Sequence, residues 1–165
     1  MNTAGMAPVQ ARPTLLTVIC IISFIMGAIG IYSGITNLTM DPVAERAKLE
    51  TTMSEQVAQI GDNANDLTNR LMESAHEVGV LGIENRIPIG IAGIILSLIS
   101  VFGVWLMWNL KKNGFWLYLL ATIGGLVLPL MYLGGGWLAL ASVGFAGFFS
   151  LIFVILYAVN LKYMH

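Results

Sequence analysis

His76 stands between Glu73 and Glu77 in a stretch with helical periodicity. Glu73 and Glu77 are one helical turn apart, and His76 follows Glu73 by three residues. A helix would therefore bring two carboxylates and an imidazole close to one face, which is donor chemistry for a divalent metal. A structural zinc centre asks for four ligands. No second cluster completes the set, so the segment reads as a solvated helix face and no metal is assigned. Asp62-Asn63-Ala64-Asn65-Asp66 offers oxygen ligands at calcium-loop spacing. It lacks the glycine at position six and the bidentate glutamate at position twelve that such a loop needs. It reads instead as a polar connection between two helices. Cys20 is the single cysteine; it can form no internal disulfide and is expected to act as a small packing residue. Nucleophile elbows, P-loops and dinucleotide fingerprints are absent from the sequence. No catalytic residue and no cofactor is expected, and the chain does not read as an enzyme.

The elements that would have to carry any chemistry are unusual. Four segments, 13–36, 87–110, 115–133 and 137–160, are long, apolar and free of Asp, Glu, Lys, Arg and His. Each has the ~20 residues that cross a hydrocarbon core as a helix. Charged residues make up only 10% of the chain and hydrophobic ones 57%, against roughly 25% charged in soluble proteins. The lipid bilayer is therefore the expected surroundings. Ionisable groups inside the membrane mark most proton relays and ion pathways, and their absence here argues against a proton-coupled carrier or an intramembrane protease. The expected fold is all-α: a four-helix transmembrane bundle with an extramembrane helical hairpin inserted between the first two spans. Residues 1–12 and 161–165 would be short tails. The first span, preceded by Arg12, is longer than a signal-peptide core and reads as a retained signal-anchor.

All nine acids fall in the segment 37–86, where Arg46, Lys48, Arg70 and Arg86 leave the balance negative. The rest of the chain carries Arg12, Lys111, Lys112 and Lys162. There is no basic patch for nucleic acid. Four spans put both tails and the Lys111-Lys112 turn on one side. Positive residues in short segments are retained in the cytoplasm, so both termini are expected to be cytoplasmic and the acidic loop outside. Trp108 and Trp116 serve as interfacial anchors near the lysines. Asn37-Leu38-Thr39 is a formal glycosylation sequon, but it lies too close to the membrane to be weighed.

Within 37–86, Asp41-Pro42 is a helix-start signal, and apolar residues recur from Leu49 through Met53, Val57, Leu67 and Leu71 at near-helical spacing. Gly61-Asp62-Asn63 breaks the run with turn chemistry. The expectation is two helices, about 42–60 and 63–78, folded back on each other, with Gly79 and Gly82 starting the return to the bilayer. Ion pairs Glu45–Lys48 and Asp66–Arg70 suit those helices.

Small residues mark close helix contacts in lipid. Ser23, Gly27, Gly30 and Gly34 form one stripe, and Gly90, Gly93, Ser97 and Ser100 form another. The two stripes are expected to face each other; Gly30 and Gly34 alternatively make a GxxxG seam for a homo-oligomer. Gly144, Gly147 and Ser150 give the last span its small face. Pro129 should bend or end the third span, and Gly134 to Gly136 should close a tight turn.

The joint Leu110-Lys111-Lys112-Asn113-Gly114-Phe115-Trp116, after a glycine-rich span, resembles small four-span proteins of bacterial inner membranes. That resemblance covers most of the chain, implies the inner membrane as its location, and carries no motif of known activity. Claudins share the topology, but their first loop carries a tryptophan and paired cysteines, which this loop lacks. The function expected is that of an accessory or scaffold subunit. Glu45, Glu50, Glu55, Asp62, Asp66, Glu73 and Glu77 would dock a membrane or envelope protein. The alternatives are a transporter or pore formed by self-association, with Ser97, Ser100, Thr122 or Ser142 along a polar path, and an envelope sensor in which the hairpin reads cations.

Overall fold

The computed structural model describes residues 13–60 and 65–165 and is all-helical there. Arg12 and the Gly61-Asp62-Asn63 turn lie outside the described residues. Six α-helices follow in order: α1 (Thr14–Thr39), α2 (Pro42–Ile60), α3 (Asp66–Glu84), α4 (Arg86–Trp108), α5 (Asn113–Tyr132) and α6 (Trp137–Asn160). A 3-10 turn covers Leu161–Tyr163. The helices α1, α4, α5 and α6 are each long and apolar enough to cross a membrane, the build of an integral membrane protein.

The spans form a ring in which α1 lies along α4, α4 along α5, and α6 touches α5 and α1 more sparsely. Two glycine contacts let backbones close. Gly34 meets Gly90, where an added methyl would stand 3.0 Å from the Gly90 carbonyl oxygen. Gly103 meets Gly114, where a methyl on Gly103 would stand 2.8 Å from the Gly114 carbonyl oxygen and 2.9 Å from the Tyr118 nitrogen. Toward the lysine-bearing turn, Leu16, Ile19, Cys20, Val104, Met107 and Tyr157 make the buried core. Tyr157 is fully buried; its hydroxyl donates to Ser23 Oγ at 2.9 Å, and its ring meets Tyr118 edge-on at 4.9 Å. A buried phenol needs such a partner.

The α4–α5 turn is a Schellman motif. The Lys111 N–H donates to the Leu106 carbonyl at 2.9 Å and the Leu110 N–H to that of Met107 at 3.0 Å. Leu110 takes the left-handed position, φ 59°, where glycine is the usual residue. The last residues hold it there. His165 donates its N–H to the Leu110 carbonyl and accepts one from Lys112, while Met164 is buried in the core. At the opposite turn, Gly134 alone adopts a positive φ, 79°.

The hairpin differs from expectation in one helix. α2 runs over the expected residues, started by Asp41, whose carboxylate accepts from the Val43 N–H at 2.9 Å. α3 begins at Asp66 rather than 63, because Asn65 caps it by accepting from the Thr68 N–H at 2.9 Å. It also does not stop at Val78. It continues through Gly79 and Gly82 to Glu84. Both glycines sit where neighbours approach: Leu49 of α2 lies against Gly79, and Leu133 lies near Gly82. At Gly79 the missing side chain makes room for Leu49, and neither glycine forms a turn. Only Asn85 separates α3 from α4, and only Met40 and Asp41 separate α1 from α2. Pro129 does not end α5, which continues to Tyr132.

Candidate functional site

Two regions carry side chains that could recognise something: the acidic hairpin and a cavity among the spans.

The hairpin is tied to the bundle at its base. Arg46 Nη2 of α2 donates to Glu84 Oε1 of α3 at 2.6 Å, an exposed pair. The Asn85 amide donates to the Leu81 carbonyl at 3.0 Å and to the Tyr132 carbonyl, at the end of α5, at 3.2 Å. Leu81 and Glu77 stand beside the glycine turn after α5. Glu77, expected on a docking surface, is therefore turned toward Gly134 and Gly136. Glu45 pairs with Lys48 at 3.9 Å, and Asp66 with Arg70 at 3.1 Å. Among the described residues, Glu50, Glu55 and Glu73 form no ion pair, and all three are exposed. Asp62 lies outside the described residues. Leu49, Met53 and Leu71 are half-buried, whereas Val57 and Leu67 near the tip remain 58% and 59% exposed. Among the described residues, no three of His, Cys, Asp and Glu converge on a metal-sized site, and His76 is exposed.

The cavity exists because α6 is held at its ends. Its buried residues are Ala139 at one end and Tyr157 and Asn160 at the other; the middle of the helix has none. Ala139 lies at the end where α6 meets α3, and Tyr157 reaches Ser23 of α1. Between these points a cavity of about 610 Å³ is lined by all four spans, a size within the ~300–1,000 Å³ of small-molecule sites. Its walls are mostly apolar, with Met26, Leu96, Leu128, Phe145, Phe149 and Phe153 among them. Among the described residues, no Asp, Glu, Lys, Arg or His lines it.

The small-residue stripes divide between these two uses. Gly27, Gly30 and Gly34 face α4, meeting Val101, Ser97 and Ile94 respectively. Ser23 holds Tyr157, and Gly90 meets Gly34. Gly93 and Ser100, expected against α1, line the cavity instead, and a methyl on Gly93 would meet nothing within 4 Å. Gly144 is likewise open, and Gly147 lies against Leu126 of α5. Ser97, Ser100 and Thr122 line the cavity, but Ser142 does not; its hydroxyl donates back to the Ala139 carbonyl at 2.9 Å.

Of the interfacial anchors, Lys111 and Lys112 are exposed on the α4–α5 turn and Lys162 lies 5.0 Å from the centre of the Tyr163 ring. Trp116 is exposed beside Phe115. Trp108 is half-buried against the core, 6.1 Å from the Phe24 ring. Sequence reasoning missed Gly103 and Gly114. Gly103 lies five residues before the end of α4 and Gly114 one residue into α5, beside the lysine turn. Gly103 follows Ser100 by three residues and extends the stripe of Gly90, Gly93, Ser97 and Ser100, which was the available signal for it; Gly114 belongs to no stripe.

No known family, curated protein or solved structure matches this chain.

Proposed function

We propose that this protein is a non-enzymatic accessory or scaffold subunit of the bacterial inner membrane. Its acidic hairpin lies outside the bilayer and docks a basic surface of a membrane or envelope protein. The observation that carries the reading is the combination of a base without slack and an uncommitted tip. Two residues join α1 to α2, one joins α3 to α4, and Asn85 and Arg46 fasten the base. Along the hairpin, Glu50, Glu55 and Glu73 are exposed and form no ion pair among the described residues, and Val57 and Leu67 near the tip are exposed as well. Charge around a small apolar centre steers a partner of opposite sign and then holds it.

A photo-crosslinking residue at Val57, in intact membranes, should capture a discrete partner. Glu50→Lys, Glu55→Lys and Glu73→Lys together should abolish capture without changing the melting temperature. A chain that never crosslinks there and always elutes alone sinks the reading. The orientation has its own test. A membrane-impermeant thiol reagent should label Gln56→Cys on intact cells and leave Lys111→Cys unlabelled.

The reading of a self-associated pore is carried less far. Leu16, Met107 and Tyr157, all fully buried, close the bundle on the lysine side of the cavity.

A further inference from the structure

The cavity has more than space. Serine and threonine hydroxyls in apolar helices normally satisfy themselves on a carbonyl of the preceding turn, as Thr122 does on Tyr118 at 2.8 Å. Ser100 and Ser150, on α4 and α6, line the cavity, and among the described residues their hydroxyls have no hydrogen-bond partner. Pro129 adds an acceptor. It has no N–H, so the Gly125 carbonyl four residues earlier lacks its helical donor; both residues line the same cavity. In hydrocarbon an unsatisfied polar group is costly. Each hydroxyl can donate or accept and the Gly125 carbonyl can accept, so a ligand hydroxyl in the cavity could pair with any of the three.

The remaining wall excludes charge and favours hydrocarbon. Its leucine and phenylalanine walls suit a hydrocarbon chain, and the surrounding solvent is lipid. A side entrance is present: Gly125, Phe145, Ala146 and Phe149 line the cavity and are also exposed on the outside of the bundle. The Phe145 and Phe149 rings meet edge-on at 4.9 Å across one turn of α6.

We propose that this cavity binds one neutral lipid bearing a hydroxyl, of the diacylglycerol kind, which enters from the bilayer beside the middle of α6. Its hydrocarbon chain lies along the phenylalanines. Its hydroxyl group reaches Ser100, Ser150 or the Gly125 carbonyl. This site is independent of the hairpin and of any partner docked there.

The test uses the full chain reconstituted in phosphatidylcholine vesicles. The probe is a diacylglycerol with a diazirine midway along one acyl chain; the reference is a phosphatidylcholine with the same labelled chain. The diacylglycerol should mark α6 around Phe149 and α4 around Ser100 in preference to other lipid-facing residues. Gly93→Leu, which projects into open cavity space, should remove that label. Gly144→Leu, equally open but outside the cavity, should keep it. Ser100→Ala with Ser150→Ala should erase the preference for diacylglycerol over phosphatidylcholine, a readout that survives if Gly93→Leu fails to fold. Labelling spread evenly over all four spans and unmoved by these variants overturns the proposal. Equal labelling of the cavity by phosphatidylcholine in the unmodified chain overturns the assignment to a neutral lipid.

Discussion

Two regions of the bundle, the α4–α5 seam and the gap beneath the middle of α6, are built from the same residue types and reach opposite results. Near the lysine turn, Gly103 and Gly114 face each other, α4 and α5 touch backbone to backbone, and Tyr157, Leu16 and Met107 fill the space beside them. Toward the hairpin, Gly93 and Gly125 face nothing, and α6 crosses the gap without a buried residue in its middle. A glycine draws helices together only where the opposite surface is shaped to enter the space it leaves. Elsewhere the same absence of a side chain makes a hole.

Variants in the closed region should show the largest effects. Tyr157→Ala removes a fully buried ring and should cost about 3–5 kcal/mol, read as a large fall in melting temperature in detergent. Tyr157→Phe, which keeps the ring and loses the hydroxyl that bonds Ser23, should cost about 1 kcal/mol. Equal losses from the two would mean that the hydroxyl, not the ring, holds α6. Gly114→Ala places a methyl against the backbone of α4 and should cost about 1–3 kcal/mol by overpacking. Tolerance of that methyl would show that the seam is looser than described.

Smaller effects are expected where the hairpin joins the bundle. Asn85→Leu abolishes the amide contact to Tyr132 and should cost about 1 kcal/mol, with faster amide hydrogen exchange confined to the end of α3 and the glycine turn. Arg46→Ala breaks an exposed pair and should cost only about 0.2–1 kcal/mol; a double-mutant cycle with Glu84→Ala should give a coupling that shrinks as salt is added. Gly93→Leu, in the open half, sharpens the contrast most. It should leave stability unchanged or raise it by about 0.5–2 kcal/mol, as filling a hole does. A large destabilisation there would abolish the distinction between the two regions.

The spans were legible because hydrocarbon imposes a length and forbids charge. α2 was legible because Asp41-Pro42 starts it and its apolar spacing keeps one register. The end of α3 was not. Gly79 and Gly82 suggest a break, since glycine weakens an isolated helix. In the folded chain Leu49 and Leu133 occupy the space beside them, and the helix continues. Glu77, one of seven acids on the candidate docking face, turned out to stand beside the glycine turn. The cavity had no sequence signature, although Pro129, Ser100, Thr122 and Gly93 were each conspicuous alone.

Local composition therefore determined that four helices are long and apolar enough to cross a bilayer and that the charged residues between the first two form helices, because length, polarity and capping act over a few neighbouring residues. Which glycines close a seam, which leave a chamber, and where α3 ends were decided by surfaces from distant parts of the chain. Those choices depend on the shape each helix meets, and that shape exists only once the spans have assembled.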